Sequence, residues 1–158
     1  MAYDFNVDEI FIMAEQIERN GADFYRAAAD AVVETEAREL LNDLARMEVE
    51  HEKTFKALRA EISEQEKEST VFDPEGEAAL YLRALADMRV FFEKKMDLSS
   101  LAAILKSAIE AEKDSIAFYL GMQEAVPKNL GKGRIQKIIK EEMSHIRLLS
   151  RKLAAQKK

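Results

Sequence analysis

The chain has only two histidines, and each lies three residues after a glutamate, in Glu48-Val-Glu-His51 and Glu142-Met-Ser-His145. Residues three apart share one face of an α-helix, so each motif presents a carboxylate and an imidazole to the same point. Thirty residues before each of these glutamates lies another glutamate, Glu18 or Glu112. Oxygen and nitrogen ligands without sulfur suit iron or manganese, and zinc also binds to them. The predicted metal ligands are Glu18, Glu48, His51, Glu112, Glu142 and His145.

The ligand pattern is repeated, because one offset of 94 residues superimposes both glutamates and the histidine of one half on those of the other. Two such half-sites facing each other would form a dinuclear centre, in which two helices of a bundle each supply one Glu and two supply Glu-x-x-His. The four carboxylates would balance the charge of two divalent ions. Without ions, glutamates on apolar helix faces would have to take up protons or open the core. The spacing therefore predicts a site for two metal ions.

Two tyrosines and two small residues share the same offset. Tyr25 and Tyr119 follow the first glutamate of each half by seven residues, which is about 10 Å along a helix axis. We expect a tilted phenol to reach the site and hydrogen-bond a ligand or act as a one-electron donor, so both tyrosines are candidate catalytic residues. Ordinary packing in the core is the alternative for them. Gly21 and Ser115, three residues after the same glutamates, would leave room beside the metals for an oxidant.

Four segments carry apolar residues at three- and four-residue spacing, and the predicted ligands lie within these apolar stripes. If Glu18 faces Glu48 in an antiparallel helical hairpin, the turn falls at residue 33, within Val32-Val33-Glu34-Thr35. The same relation places the second turn at Pro127, where a turn is favourable. The sequence therefore predicts an all-α four-helix bundle made of two helical hairpins, about 6–66 and about 99–157.

A long, partly helical crossover at about residues 67–98 is predicted to join the hairpins. It should contain a short helix around residues 74–93, which begins at Asp73-Pro74. Ser99 and Ser100 are the candidate caps of the helix that follows. A crossover of this length can reach the far end of the bundle, so the four helices need not alternate in direction.

The composition is that of one helical domain covering residues 1–158, with 47% hydrophobic and 34% charged residues, five glycines and two prolines. A net charge of −6 disfavours a nucleic-acid surface. The N-terminal residues lack the basic start of a signal peptide, and no apolar stretch approaches the roughly 20 residues of a membrane span. We therefore expect a cytoplasmic protein. Because it has no cysteine, iron–sulfur clusters, thiolate zinc sites and a rubredoxin-type iron site are excluded.

Both halves of the chain resemble rubrerythrins that lack a rubredoxin domain, within the ferritin-like di-iron carboxylate superfamily. The second half does so through Glu112-Lys-Asp-Ser-Ile-Ala-Phe-Tyr119 and residues 136–145, and the first through residues 18–25 with Glu48 and His51. The resemblance covers nearly the whole chain and implies a di-iron centre that reduces hydrogen peroxide or dioxygen. It further implies that Glu48 and Glu142 bridge the two ions and that Glu18 and Glu112 are terminal ligands. His51 and His145 would each bind one ion.

A few positions depart from the related families. Rubrerythrins carry an additional glutamate, a redox-dependent ligand, where this chain has Ser115, so their movement of iron between ligands is not implied here. Bacterioferritin has a haem-ligating methionine where this chain has Val49, so no haem is expected. In bacterioferritin an acidic residue before each bridging glutamate supports a histidine; Glu141 could do so here and Met47 could not. We therefore expect the half-sites to differ in redox tuning.

The resemblance implies a peroxide-scavenging oxidoreductase. We expect an external electron-donor protein to re-reduce it, because the chain has neither a cysteine nor a recognisable nucleotide-binding motif. The alternative function is an iron-binding or ferroxidase protein in iron storage or handling. A structural bundle with a fortuitous site is a third interpretation. We expect a homodimer, since the exposed faces of such bundles often pair, and neither nucleic acid nor a membrane as a partner.

Overall fold

The computed structural model describes residues 7–62, 80–82, 84–85, 97–126 and 131–156. Four long helices make up most of these ranges: α1 (Val7–Ala31), α2 (Thr35–Ala60), α3 (Leu101–Ala125) and α4 (Lys132–Gln156). No strand occurs in the described ranges, and the all-α class is confirmed. None of the helices in these ranges is long and apolar enough to cross a membrane.

The two helical hairpins are closed by short connections. Residues 32–34 join α1 to α2, which confirms the predicted turn at residue 33. Nη2 of Arg38 donates to the carbonyl of Val32 at 2.7 Å and holds this connection against the start of α2. The second predicted turn, at Pro127, lies outside the described residues, although α3 ends at Ala125 and α4 begins at Lys132 on either side of it.

Both helices of the second hairpin have a recognisable start. Ser100, one of the two predicted caps, accepts a hydrogen bond at Oγ from the backbone N–H of Ala103 at 3.1 Å. Gly131 has a φ of 77°, a left-handed conformation that glycine adopts without a steric penalty. The carbonyl of Gly131 accepts from the N–H of Ile135 at 3.0 Å. Local sequence signals therefore determine where α3 and α4 begin.

The core consists of two apolar clusters, one at each end of the bundle. The first cluster combines the N-terminal halves of α1 and α4 with the C-terminal halves of α2 and α3; it includes Phe11, Phe55, Phe118 and Ile135. The second cluster combines the opposite halves; it includes Ala28, Leu41, Leu105 and Leu149. Thus α1 and α4 run in one direction, and α2 and α3 in the other.

The connection between α2 and α3 has to run the length of the bundle, because α2 ends beside the first cluster and α3 begins beside the second. A helix of this size spans about 38 Å, so the directions confirm the long crossover. Residues 80–82 and 84–85 are helical and belong to this connection; the remainder of the predicted helix at 74–93 lies outside the described residues. Leu82 is buried in the first cluster, and Oη of Tyr81 donates to the carbonyl of Ala117 at 2.7 Å.

Candidate metal centre

A polar layer separates the two apolar clusters in the middle of the bundle. Six of its residues are at most 4% exposed. Helices α1 and α3 supply one residue each, and α2 and α4 supply two each: Glu18, Glu112, then Glu48 with His51, and Glu142 with His145. The structure therefore brings together all six residues that the spacing singled out.

The six residues form two overlapping groups of four, which share Glu48 and Glu142. The first group adds Glu18 and His51, and the second adds Glu112 and His145. Within each group, one ligand atom from every residue lies within 4.8 Å of the others. No other histidine or carboxylate in the described ranges completes a further group of this kind. Two groups with two carboxylates in common have the arrangement that a dinuclear metal centre needs.

Both imidazoles present Nδ1 to the interior of the layer. Nδ1 of His51 lies 2.8 Å from Oε1 of Glu142, and Nδ1 of His145 lies 3.3 Å from Oε1 of Glu112. The two rings are stacked, with centroids 6.0 Å apart and planes 18° apart. A neutral imidazole with a metal ion on Nδ1 carries its proton on Nε2.

The outward nitrogens of the two histidines meet different partners. Nε2 of His51 lies 2.6 Å from Oε2 of Glu141, whereas Nε2 of His145 lies 3.3 Å from Sδ of Met47. Glu141 and Met47 each directly precede a glutamate that the two groups share. The sequence suggested that the two half-sites differ, and the structure shows how: a carboxylate lies behind one imidazole and a thioether behind the other.

Each tyrosine hydrogen-bonds a glutamate of the opposite half. Oη of Tyr25 donates to Oε1 of Glu112 at 2.6 Å, and Oη of Tyr119 donates to Oε1 of Glu18. Helical side chains lean toward the N-terminus of their own helix. Because α1 and α3 are antiparallel, Tyr25 and Glu112 lean toward each other. A tyrosine and a glutamate on the same helix lean in the same direction, so the two-turn gap between them remains.

The phenols are held as hydrogen-bond donors. Burial raises the pKa of Tyr25 well above its usual value, and the charge of Glu112 raises it further. Burial and the charge of Glu18 act in the same way on the pKa of Tyr119. Both phenols therefore keep their protons. Because each binds Oε1 of its glutamate, the Oε2 atoms of Glu18 and Glu112 remain for another partner.

Burial and neighbouring charges also shift the pKa values of Glu48, Glu142 and His51. Burial raises the pKa of Glu48, with further contributions from the charges of Glu142 and Glu18. Burial and the charge of Glu112 likewise raise the pKa of Glu142. For His51, burial lowers the pKa, but the nearby carboxylates of Glu18 and Glu48 outweigh it and raise the pKa to about 11. Without metal, proton binding to Glu48, Glu142 and His51 is therefore favoured.

Four buried ligand atoms lack a hydrogen-bond partner within the described part of the chain: Glu18 Oε2, His51 Nδ1, Glu112 Oε2 and Glu142 Oε1. All four belong to the two overlapping groups. A buried polar atom without a partner costs about 1 to 3 kcal/mol. Divalent ions within the two groups would satisfy these atoms and displace the protons bound by Glu48, Glu142 and His51. The donor set therefore fits a centre of two divalent metal ions.

The small residues of the repeat differ in what they contribute. A Cβ added to Gly21 would lie 3.4 Å from Cδ of Glu48, so the glycine leaves a narrow space beside a shared carboxylate. Oγ of Ser115 donates to the carbonyl of Ala111 at 3.0 Å, within its own helix.

Sequence reasoning did not identify the ion pair next to this layer, in which Arg59 donates to both carboxylate oxygens of Glu15 at 2.6 and 3.0 Å.

Comparison with known proteins establishes the fold. Neither a family model nor a curated protein gives a match. Among solved structures, the chain is similar to a protein of Thermotoga maritima that is described as a ferritin-like diiron-carboxylate protein. The TM-score is 0.72 at 22% sequence identity, and the alignment covers 98% of each chain. The bundle therefore has a ferritin-like fold, as predicted.

Proposed function

We propose that this protein is a rubrerythrin-like, non-haem di-iron oxidoreductase that reduces hydrogen peroxide, or dioxygen, with electrons from an external donor protein. The observation that carries the proposal is the pair of four-residue groups that share Glu48 and Glu142. The description of the Thermotoga maritima neighbour as a diiron-carboxylate protein supports iron as the metal, with manganese and zinc as the alternatives that metal analysis distinguishes.

Each ligand has a role that follows from its position. Glu48 and Glu142 belong to both groups and would bridge the two ions. Glu18 and Glu112 belong to one group each and would bind one ion through Oε2, since Oε1 accepts from a tyrosine. His51 and His145 would bind through Nδ1. This assignment uses all four of the buried atoms that lack a partner among the described residues.

Two ferrous ions at these positions would together supply the two electrons that, with two protons, convert one hydrogen peroxide into two waters. The chain supports this reaction by excluding bulk water, because the layer lies between two apolar clusters. Tyr25 and Tyr119 hold a proton at Oη and fix the orientation of Glu112 and Glu18. A phenol one hydrogen bond from a ligand is also placed to donate a single electron.

The electron donor and the assembly complete the proposal. We assign re-reduction to another protein because the chain has no cysteine that could hold an iron–sulfur cluster. A cytoplasmic location suits a centre that has to be re-reduced after every turnover. We propose that the functional unit is a homodimer.

Stopped-flow mixing of the anaerobic diferrous protein with hydrogen peroxide or with dioxygen tests the reaction. Oxidation should be faster with peroxide, and two electrons should be consumed per peroxide. Glu50→Ala, at an exposed position of α2, is the matched control and should react at the wild-type rate. Faster oxidation by dioxygen, together with uptake of iron far beyond two ions per chain, would instead support iron storage or handling.

A further inference from the structure

The two metal positions have the same ligands, so any difference between them has to come from the surrounding side chains. Each position combines one terminal glutamate, one imidazole and the two shared carboxylates. Each terminal glutamate also accepts a hydrogen bond from a tyrosine of the other half. In these respects, the offset of 94 residues relates every group in one half to a group in the other.

The partner of the outward imidazole nitrogen breaks this equivalence. Nε2 of His51 is 2.6 Å from a carboxylate oxygen of Glu141, whereas Nε2 of His145 is 3.3 Å from the thioether sulfur of Met47. A carboxylate accepts a strong, charge-assisted hydrogen bond, and a thioether is a weak acceptor. The stronger acceptor makes the opposite nitrogen, Nδ1, the more basic ligand and holds the ring and its tautomer in place.

We propose that Glu141 and Met47 make the two positions unequal, so that the position of His51 fills first and the position of His145 binds its ion more weakly. The inference rests on the proposed di-iron function. Loss of a partner behind a metal-binding histidine typically lowers metal affinity about 10- to 100-fold. We expect a difference of this size between the two binding steps. Glu141 and Met47 are positioning residues, since both act through an imidazole.

A carboxylate at position 47 could supply the strong acceptor that Nε2 of His145 lacks. Met47 and Glu141 occupy equivalent places in the repeat, each directly before a shared glutamate and beside an Nε2 atom. The side chain of Glu141 is 30% exposed, so water solvates part of its charge. Met47 is likewise only partly buried. A glutamate at position 47 should therefore bind Nε2 of His145 as Glu141 binds Nε2 of His51.

Anaerobic calorimetric titration of the metal-free protein with Fe(II) alone tests the proposal. The wild type should bind two ions in separate steps, with the first about 10- to 100-fold tighter. Met47→Glu should tighten the second step until it approaches the first, and Glu141→Met should weaken the first step by the same factor. Glu141→Gln, which keeps an oxygen acceptor without the charge, should fall between Glu141→Met and the wild type.

Further variants locate the effect. Met143 is 51% exposed on α4, so Met143→Glu makes the same change of charge without facing a histidine, and it should leave both steps unchanged. In the double variant with Met47→Glu and Glu141→Met, the tight step should move to the other position. Adding His145→Ala to this double variant should then abolish the tight step, and adding His51→Ala should leave it. In the wild-type background the two histidine substitutions should have the reverse effects.

Several results would overturn the inference. Two equal steps in the wild type would do so, as would an unchanged second step in folded Met47→Glu or an equal effect of Met143→Glu. If Met47→Glu does not fold, an unchanged first step in Glu141→Met would overturn the inference equally. Failure of the protein to bind any Fe(II) would contradict the proposed function as well. Two ions bound with equal affinity would contradict this inference alone.

Discussion

The half of the centre around His51 and the half around His145 contain the same ligands in different surroundings. Both halves share Glu48 and Glu142, and in both an imidazole presents Nδ1 to the interior. The two halves differ at the outward nitrogen, Nε2, which faces Glu141 in His51 and Met47 in His145. The internal repeat therefore provides the same ligand set for each of the two proposed ions, and the different residues at the equivalent positions 47 and 141 make their environments unequal.

The largest effect is expected from removing a carboxylate that both halves use. Glu48→Ala should lose both ions, because each four-residue group contains Glu48, whereas His145→Ala should retain the ion beside His51. Metal analysis by mass spectrometry after reconstitution with iron measures this. Glu50→Ala, exposed two residues away, should keep both ions. If Glu48→Ala kept one ion at full occupancy, the halves would not share this carboxylate.

Removing the metal should change both the stability and its dependence on pH. Each ion at about 100 times its dissociation constant should stabilise the fold by about 2.7 kcal/mol. Without metal, the pKa of His51 is raised from 6.5 to about 11, so folding takes up a proton. The resulting stabilisation is fully present below pH 6.5 and is lost as the pH rises toward about 11.

Iron binding should have the opposite dependence on pH. It displaces protons from the same groups, so affinity should increase as the pH rises. Denaturant unfolding of the metal-free protein and Fe(II) titration at several pH values test the two signs. His51→Gln should reduce both slopes, whereas the exposed substitution Glu50→Gln should change neither. Parallel pH dependences would mean that the metal does not replace protons in this layer.

A smaller and selective effect is expected from the tyrosines. Tyr119→Phe removes the donor to Glu18 and should weaken only the position of His51; Tyr25→Phe removes the donor to Glu112 and should weaken only that of His145. Each bond fixes the orientation of a ligand carboxylate, and loss of such an outer partner typically lowers metal affinity about 10- to 100-fold, so the affinity of one step should fall at least about 10-fold. Fe(II) calorimetry separates the two steps.

Tyr81→Phe is the control for this pair, because its hydroxyl donates to the carbonyl of Ala117 on the outside of α3. It should leave both binding steps unchanged. Equal weakening of both steps by Tyr25→Phe and by Tyr119→Phe would show that the tyrosines do not serve separate halves.

The smallest effect is expected at Gly21. Its added Cβ would lie in ordinary contact, 3.4 Å from Cδ of Glu48, and alanine is favoured over glycine in a helix by about 1 kcal/mol. Gly21→Ala should therefore raise the free energy of unfolding by up to about 1 kcal/mol and keep both ions. Ser115→Ala, at the equivalent position, should be nearly neutral because Oγ bonds only within its helix. Loss of iron from Gly21→Ala would show that Glu48 needs this space.

Much of the fold and of the candidate site follows from local spacing. The three- and thirty-residue intervals identified the six residues of the layer, and the turn at residue 33 and the cap at Ser100 are confirmed. The partner of each tyrosine could not be predicted. It depends on the opposite directions of α1 and α3, which the path of the crossover imposes and which no local spacing encodes.

The contact between Met47 and His145 could be predicted only in part. The sequence shows that no acidic residue precedes Glu48 in the repeat, but it does not show what meets Nε2 instead. That outcome depends on how closely α2 and α4 approach, which places Sδ of Met47 3.3 Å from the ring. Packing between helices, unlike spacing within one helix, determines such contacts.

Anomalous diffraction at the iron edge, from crystals of the iron-loaded protein, tests the central claim most directly. Two peaks are expected within the polar layer. Glu48 and Glu142 should contact both, with Glu18 and His51 at one peak and Glu112 and His145 at the other. A single peak, or peaks outside this set of six residues, would contradict a dinuclear centre built from the repeated motif.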